Sequence, residues 1–480
     1  MNILVSVSPL LFVVILSAWF RRPAFIVAWC GVALVAALVL VSWWMQAGLQ
    51  ADAAPHLQGL GAAALITLQA ALVIGPGLYL NSLLGRAKAH DALVAWVGRI
   101  PMDPLHKRLM IVVGLAPALE SLTGFGVSLL VTVPLLLAAS ERRTALRQSM
   151  LSMNIMPWGT LGLATVVGAQ LSGQSVSSLG FATSLISFGV FPVFGMLTGW
   201  LSAESAERGR ALRDGFLLGC VLSLGLVALN WLGVIELAGI LAGLASALAC
   251  LLLFRTASHS MLPPWQAVRP YVIVLGLIAV IRALPFLGVP TKDWAIEAGG
   301  VRFAPLASPG LALLATILIL SRGQEAASLL RDTLNRAMKP ILALGGFTLM
   351  AQMMVASGMI RIIGEALPVS HPMQLGGLSP MLGALSGYLT GSNVGGNALM
   401  MTMQASLTDD KALQLALAAI QNSAAGHAAF ASMPIILLVL AIAGPGGKEE
   451  ESDLVRFGLK ILLLVVALLV AAGLLLIALG

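Results

Sequence analysis

The sequence predicts an all-α polytopic membrane protein, with about twelve transmembrane helices and two re-entrant hairpins in an inverted-topology repeat. Three observations carry that prediction: the scarcity of charge, the length of the apolar runs, and the placement of the positive residues. Of 480 residues, 59% are hydrophobic and 10% charged. A soluble domain carries about 25% charged residues. With a mean hydropathy of +0.97, too little polar surface is left for a water-soluble enzyme. The net charge of +7, from 27 Lys and Arg against 20 Asp and Glu, reports orientation in such a chain before it reports a partner. No nucleic-acid role is expected.

About 20 apolar residues are needed to span a bilayer as a helix. Runs of that kind occupy 3–20, 24–45, 59–84, 148–170, 179–200, 213–231, 233–254, 270–288, 306–321, 338–358, 412–443 and 456–479. The first run lacks the basic leading segment of a signal peptide and is expected to be a retained helix. Segments 109–139 and 374–404 differ from the rest: Gly, Pro or polar residues break each near its middle. Each is long for one crossing and short for two.

The positive charges choose between the alternatives. If both odd segments cross, Lys and Arg divide 14 to 13 between the two sides. If both enter and leave on one side, the division is 22 to 5, the five being Arg282, Lys292, Arg302, Arg361 and Lys411. The positive-inside rule selects the second arrangement. Segment 109–139 then dips in from the cytoplasm and segment 374–404 from outside, with seven crossings between them. Such inverted pairs mark many secondary transporters, and irregular backbone at membrane depth is tolerated where it lines a cavity or is buried in protein. The chain is expected to form a single membrane domain over 1–480, whose first half, 1–254, carries the cytoplasmic-side hairpin. The second half, 255–480, carries the outer-side hairpin.

Local likeness between the halves supports the repeat. Leu122-Thr123-Gly124 recurs as Leu389-Thr390-Gly391, 267 residues later, although Leu197-Thr198-Gly199 is a third copy. Asn154 follows Thr123 by 31 residues and Asn422 follows Thr390 by 32. Pro157 and Gly159 in one half and Gly426 in the other are expected to interrupt the helix after each Asn.

Chemistry-bearing residues inside these segments are few. Glu120, in the first hairpin, should face a cavity, be paired or be protonated. It is a candidate proton-coupling residue, and the competing reading is an acceptor that holds hairpin N–H groups. Histidine titrates near neutrality, which makes His427 a second candidate, against a histidine bonded within the bundle. The second hairpin offers Thr390, Ser392, Asn393 and Asn397 among glycines that let backbone approach a ligand. Half-helix N-termini there suit a carboxylate; plain packing of small residues is the alternative. Thr123, Gly124, Asn154 and Asn422 complete the expected substrate site.

Other features carry structural readings. Cys30, Cys220 and Cys250 lie in apolar runs without metal or redox spacing. Trp43, Trp44, Trp200 and Trp231 read as interface anchors, and 87–100 as an amphipathic helix on the cytoplasmic surface. His56, His90, His106, His259 and His371 read as loop residues, Glu236 as a solvated helix end, and Glu449-Glu450-Glu451 as a solvated loop. No P-loop, zinc motif or nucleophile elbow is present, so neither an enzyme nor ATP-driven transport is expected, and no cofactor or metal.

These residues resemble a known family. Glu120-Ser-Leu-Thr-Gly-Phe-Gly126 is similar to the E-G-A-A-G-F-G segment of lactate permeases, and Asn154-Ile-Met-Pro157-Trp-Gly159-Thr-Leu-Gly162 to their N-T-A-P-x-x-x-G-x-x-G segment. Leu389-Thr-Gly-Ser-Asn393-Val-Gly-Gly-Asn397 resembles their L-T-G-S-N-T-x-S-N segment, and Trp265 to Tyr271 and Arg282-Ala-Leu-Pro285 two shorter pieces. The resemblance implies a proton-coupled permease for L-lactate, D-lactate or glycolate in a bacterial inner membrane. By match it singles out Glu120, Gly124, Gly126, Asn154, Thr390, Ser392, Asn393 and Asn397. Ser121-Leu122-Thr123, Gly395-Gly396 and Gly426-His427 depart from the family's pattern and would reshape the pocket. The expected partners are a small carboxylate anion, a proton and the lipid bilayer, with a homo-oligomer left open. A sodium-coupled carboxylate transporter and an ion/proton antiporter are the competing functions.

Overall fold

The computed structural model describes residues 3–46, 48–256, 262–321, 326–366 and 371–479; His259 and Arg322 lie outside them. The chain begins with α1 (Ile3–Ala18) and α2 (Ala24–Trp44), followed by the 34-residue α3 (Ala53–Arg86) and the short α4 (Ala89–Arg99). Next, α5 (Pro104–Met110) runs through one π turn (Ile111–Leu115) into α6 (Ala116–Thr123), and α7 (Leu129–Ala139) follows a five-residue break. Then come α8 (Arg142–Leu151), α9 (Gly159–Ser172), α10 (Val176–Ile186), α11 (Val190–Ser202), α12 (Arg208–Trp231), α13 (Ile235–Phe254) and α14 (Trp265–Ala283). The C-terminal part holds α15 (Pro309–Leu320), α16 (Ala326–Ala356), α17 (Met359–Ala366), α18 (Pro372–Thr390), α19 (Asn393–Ala405), α20 (Lys411–Ala428), α21 (Met433–Ala443) and α22 (Lys448–Leu479).

Among the described residues, seven helices are long and apolar enough to cross a membrane. Three more spans are bent pairs, α8 with α9 (52°), α10 with α11 (43°) and α20 with α21 (40°). With the shorter apolar helices α1 and α15 these account for the twelve predicted spans, and the chain is a multi-pass membrane protein. Leu252, Leu253, Leu318 and Leu463 stand exposed on the outside of the bundle, as lipid-facing side chains do. Inside, small residues let helices close on one another: a Cβ on Gly195 of α11 would lie 2.0 Å from the carbonyl of Gly215 on α12.

Both odd segments turn back on themselves. Arg108, just before the first, donates from Nη1 to the carbonyl of Ala139 at its far end (3.2 Å) and to Ser140 Oγ (3.3 Å). In the second, Gln404 Nε2 of α19 donates to the carbonyl of Ser379 on α18 (3.3 Å), and Ser379 Oγ donates to Gln404 Oε1. The two mouths lie at opposite ends of the broken spans. Span α8–α9 starts beside the first mouth and ends where Thr402 Oγ1 of the second hairpin meets the carbonyl of Leu171 (3.3 Å). Span α20–α21 runs the other way, leaving the second mouth at Lys411 and ending at Ala443, whose carbonyl accepts from Arg142 Nη1 (2.9 Å).

The two Leu-Thr-Gly turns share their hydrogen bonds up to the glycine. Thr123 Oγ1 donates to the carbonyl four residues back (Leu119, 2.7 Å), as Thr390 Oγ1 does to Ser386 (2.8 Å). Gly124 N–H donates to Glu120 O and Gly391 N–H to Gly387 O. Both glycines have positive φ, 68° and 65°, but they part at ψ, which is −175° at Gly124 and 19° at Gly391. Each tip rests on the break of its own half's bent span: a Cβ on Gly124 would meet Thr160, and one on Gly391 would meet Pro434.

Several expectations change. The break in span α20–α21 falls at Ser432, after a 3-10 turn at Ala429–Ala431, and α20 continues through Gly426. Gly426 serves close approach instead, since a Cβ there would be 2.7 Å from Pro157 Cδ. In the first half the chain is unwound over 152–162, with positive φ at Thr160, Leu161 and Gly162. Two three-residue strands, Ile296–Ala298 and Val301–Phe303, form a small antiparallel ladder that short alternating stretches in a loop do not announce. His90 and His106 are helical, and His106 is buried against Asp214 (Nε2 to Oδ2, 3.0 Å) and stacked on Phe254. His56 lies in the first turn of α3, and His371 caps α18. Glu236 pairs with Arg282. Glu449, Glu450 and Glu451 form the first turn of α22, where acidic groups suit the helix dipole, and Glu450 holds Arg142 at 2.7 Å.

Candidate functional site

A cavity of about 420 Å³ lies between the two hairpin tips. Phe125 comes from the first tip, Thr390 to Gly395 from the second, Met156, Gly159 and Thr160 from the first break, and Pro434 from the second. Its rim reaches Pro23 and the exposed Lys339, on the face where the predicted 22-residue basic set gathers. Most of the wall is apolar, so the few polar groups that converge on it decide what it can hold.

Most of those polar groups belong to the second tip; Thr160 of the first break and Lys339 at the rim are the others. Thr390 ends α18, Gly391 reverses the chain, and Ser392 caps α19 by accepting from Gly395 N–H (3.4 Å). The leading N–H groups of a helix have no intrahelical acceptor, and here those of Asn393 and Val394 head α19 at the cavity wall. Asn393 is 2% exposed, and its Oδ1 has no hydrogen-bond partner. The seat therefore offers N–H donors with the positive end of a helix, beside an unpaired acceptor.

At the first tip the corresponding place is filled from within. Glu120 is fully buried; its Oε1 accepts from Gly126 N–H (3.0 Å) and its Oε2 from Ser128 Oγ (2.7 Å), on the turn leading into α7. At the repeat offset of 267, Gly126 corresponds to Asn393, Val127 to Val394, and Glu120 to Gly387. Gly387 has no side chain to send forward, and a Cβ there would lie 1.9 Å from the carbonyl of Ala425. One hairpin thus carries its own carboxylate at its tip, while the other leaves the equivalent N–H group on the cavity.

Asn422 sits behind the tips as a fully buried hub. Its Oδ1 accepts from Asn397 Nδ2 (2.8 Å) and Asn393 Nδ2 (3.2 Å), and its Nδ2 donates to Thr165 Oγ1 (2.9 Å) and Thr183 Oγ1 (3.1 Å). Asn397 Nδ2 also reaches the carbonyl of Ala164 (2.9 Å). One side chain thereby joins the second hairpin to all three bent spans. Sequence reasoning missed Thr165, Thr183 and Ser128. Thr165 and Thr183 lie in apolar runs where a lone hydroxyl gives no signal, whereas Ser128, eight residues after Glu120 across a glycine turn, could have been suspected.

Of the ten expected residues, Thr390, Ser392 and Asn393 line the cavity. Glu120, Thr123, Gly124, Asn154, Asn397, Asn422 and His427 are packed behind it. His427 is fully buried, edge-on to Phe191 (centroids 5.4 Å apart), and no side chain hydrogen-bonds its ring nitrogens. Asn154 donates from Nδ2 to the carbonyl of Leu151 (2.9 Å), while its Oδ1 is unpartnered. Among the described residues no group of three or more His, Cys, Asp or Glu could hold a metal ion.

Comparison with known proteins agrees with the motifs. The L-lactate permease family model matches residues 295–479. An L-lactate permease of Escherichia coli (strain K12) is 23% identical over 432 residues, covering 75% of this chain and 76% of the relative. An L-lactate permease of Streptococcus iniae is 23% identical over 342 residues, covering 62% of this chain and 69% of the relative.

Proposed function

From the premise that the chain is a relative of the lactate permease family, we propose that it is a secondary active transporter, not an enzyme. Its function is proton-coupled uptake of a small 2-hydroxy monocarboxylate, L-lactate, D-lactate or glycolate, across a bacterial inner membrane. The observation that carries this reading is the asymmetry of the two tips. Glu120 supports it: its carboxylate accepts from the N–H of Gly126, the position that matches Asn393 in the repeat. The matching N–H of Asn393 faces a cavity large enough for a three-carbon acid. In this reading the substrate carboxylate sits on the N–H groups of Asn393 and Val394, stabilised by the head of α19. Its 2-hydroxyl donates to Asn393 Oδ1, and Thr390 and Ser392 close the seat. Thr123, Gly124, Asn154, Asn397 and Asn422 hold the two tips and breaks in register around it.

Glu120 and His427 are the proposed proton sites. Protonating Glu120 would weaken its hold on Gly126 N–H and Ser128 Oγ, because an ionised acceptor makes the stronger bond. That would loosen the first tip when a proton binds. The chain is proposed to work as one domain, with 1–254 and 255–480 as its inverted halves and the face of Arg142 toward the cytoplasm.

Uptake of labelled lactate and glycolate into proteoliposomes, with pH and sodium gradients imposed separately, tests the reading. Accumulation should follow the pH gradient and ignore sodium. Glu120→Gln should bind substrate without concentrating it. Accumulation driven by sodium alone would instead favour the sodium-coupled transporter, and cation-induced proton release without carboxylate uptake the antiporter.

A further inference from the structure

A second cavity, of about 780 Å³, opens on the face opposite the tip cavity's rim. Its walls include Arg282, Lys292 and Arg302, three of the five Lys and Arg that the charge distribution places outside, together with the acidic Glu236 and Asp293. Outer positive charge is rare in this chain, yet most of it converges on one hollow. Arg282 is taken up by Glu236 and by the carbonyl of Gly233 (3.0 Å). Lys292 has no ion-pair partner among the described residues. Arg302 meets Glu297 at 3.4 Å with both side chains more than half exposed, a pairing worth little in water. Arg302 Nη2 also donates to the carbonyl of Lys292 (3.1 Å), which brings the two cations onto one wall. Beside them Thr291 is 3% exposed, lines the cavity, and has an unpartnered Oγ1.

The hollow is connected to the transport machinery. Its lining includes Val166 of α9, the residue after Thr165, which accepts from the Asn422 hub. Gln170, one turn further along α9, donates to Gln69 of α3 and to the carbonyl of Arg302 (3.4 Å). The cationic wall is thus tied to the bent span that separates the hollow from the tip cavity.

We propose that this outer cavity is a capture site for the carboxylate substrate, distinct from the seat between the tips, in which Lys292 and Arg302 hold the anion against Thr291. The inference rests on the transporter reading above. Charges in a concave, low-dielectric wall concentrate an anion and raise its on-rate, and the effect is screened by salt.

The test compares L-lactate transport from the two faces, in right-side-out and inside-out vesicles. The Lys292→Gln/Arg302→Gln double variant should raise KM from the outer face on the order of 10-fold. It should leave the maximal rate and the inner-face KM within about twofold. Raising ionic strength from about 0.05 to about 0.5 M should raise the outer-face KM of the wild type but not of the double variant. Lys411→Gln, an outer cation away from the cavity, should change neither KM. Unaltered outer-face KM in the double variant, or equal changes on both faces, would overturn the capture site. A wild-type protein that carries no lactate would instead overturn the underlying transporter reading.

Discussion

Replacing Asn422 by Ala removes four hydrogen bonds at once. Asn397 Nδ2 keeps the carbonyl of Ala164, and Thr165 Oγ1 still donates to the carbonyl of Pro157 (2.8 Å). Asn393 Nδ2 and Thr183 Oγ1 lose their partner and remain buried. Side-chain hydrogen bonds inside membranes average about 0.6 kcal/mol each, which gives about 2.4 kcal/mol for the four. Two stranded buried groups, at about 1–3 kcal/mol each, put the loss at about 2–6 kcal/mol. Reversible unfolding in mixed micelles, followed by tryptophan fluorescence, measures it. A cycle with Asn397→Ala should return a coupling of about 0.6–1.7 kcal/mol. A loss for Asn422→Ala below about 0.5 kcal/mol, or no coupling to Asn397, would refute the hub.

Gly387→Ala would place a methyl against the Ala425 carbonyl. It should destabilise the protein by at least about 1–3 kcal/mol, seen as a lower unfolding midpoint in the same micelles. His90, buried in α4 outside the spans, has its pKa lowered from the ordinary histidine value by desolvation, against a smaller opposing effect of Asp91. The unfolded chain therefore takes up a proton at about pH 6.5 that the folded ring resists. Stability should fall as pH drops below that value and level off once the folded ring titrates; His90→Leu should flatten the fall between pH values of about 7 and 5. Single cysteines at 139–147 and at 405–411 should label from opposite sides of the membrane in an accessibility scan, and labelling from one side would overturn the opposed mouths.

The gross architecture was legible because bilayer physics acts on composition directly. A span must be apolar and its cytoplasmic flank basic, so twelve crossings and two hairpins follow from run lengths and from the 22-to-5 partition of Lys and Arg. The tips were legible as Leu-Thr-Gly turns, since a position with positive φ selects glycine. Long-range pairings left no such trace. Nothing near Asn422 in the chain points to Thr165 or Thr183, and nothing near His106 points to Asp214. Gly426 looked like a helix breaker because glycine has two uses, freedom and small size, which sequence alone does not separate; here Pro157 of the other bent span uses its size. Glu120 was read as a choice between proton site and structural acceptor. Its bonds to Gly126 and Ser128 show the acceptor geometry and leave the proton to be tested.

The seat at the head of α19 is tested most directly by substrate protection. With Cys30, Cys220 and Cys250 replaced, Ser392→Cys would place one thiol on the cavity wall. L-lactate should slow its modification by a small hydrophilic thiol reagent, with a concentration dependence that matches the KM for transport. A modification rate indifferent to lactate, in a protein that still transports it, would contradict the assignment of the carboxylate to this tip.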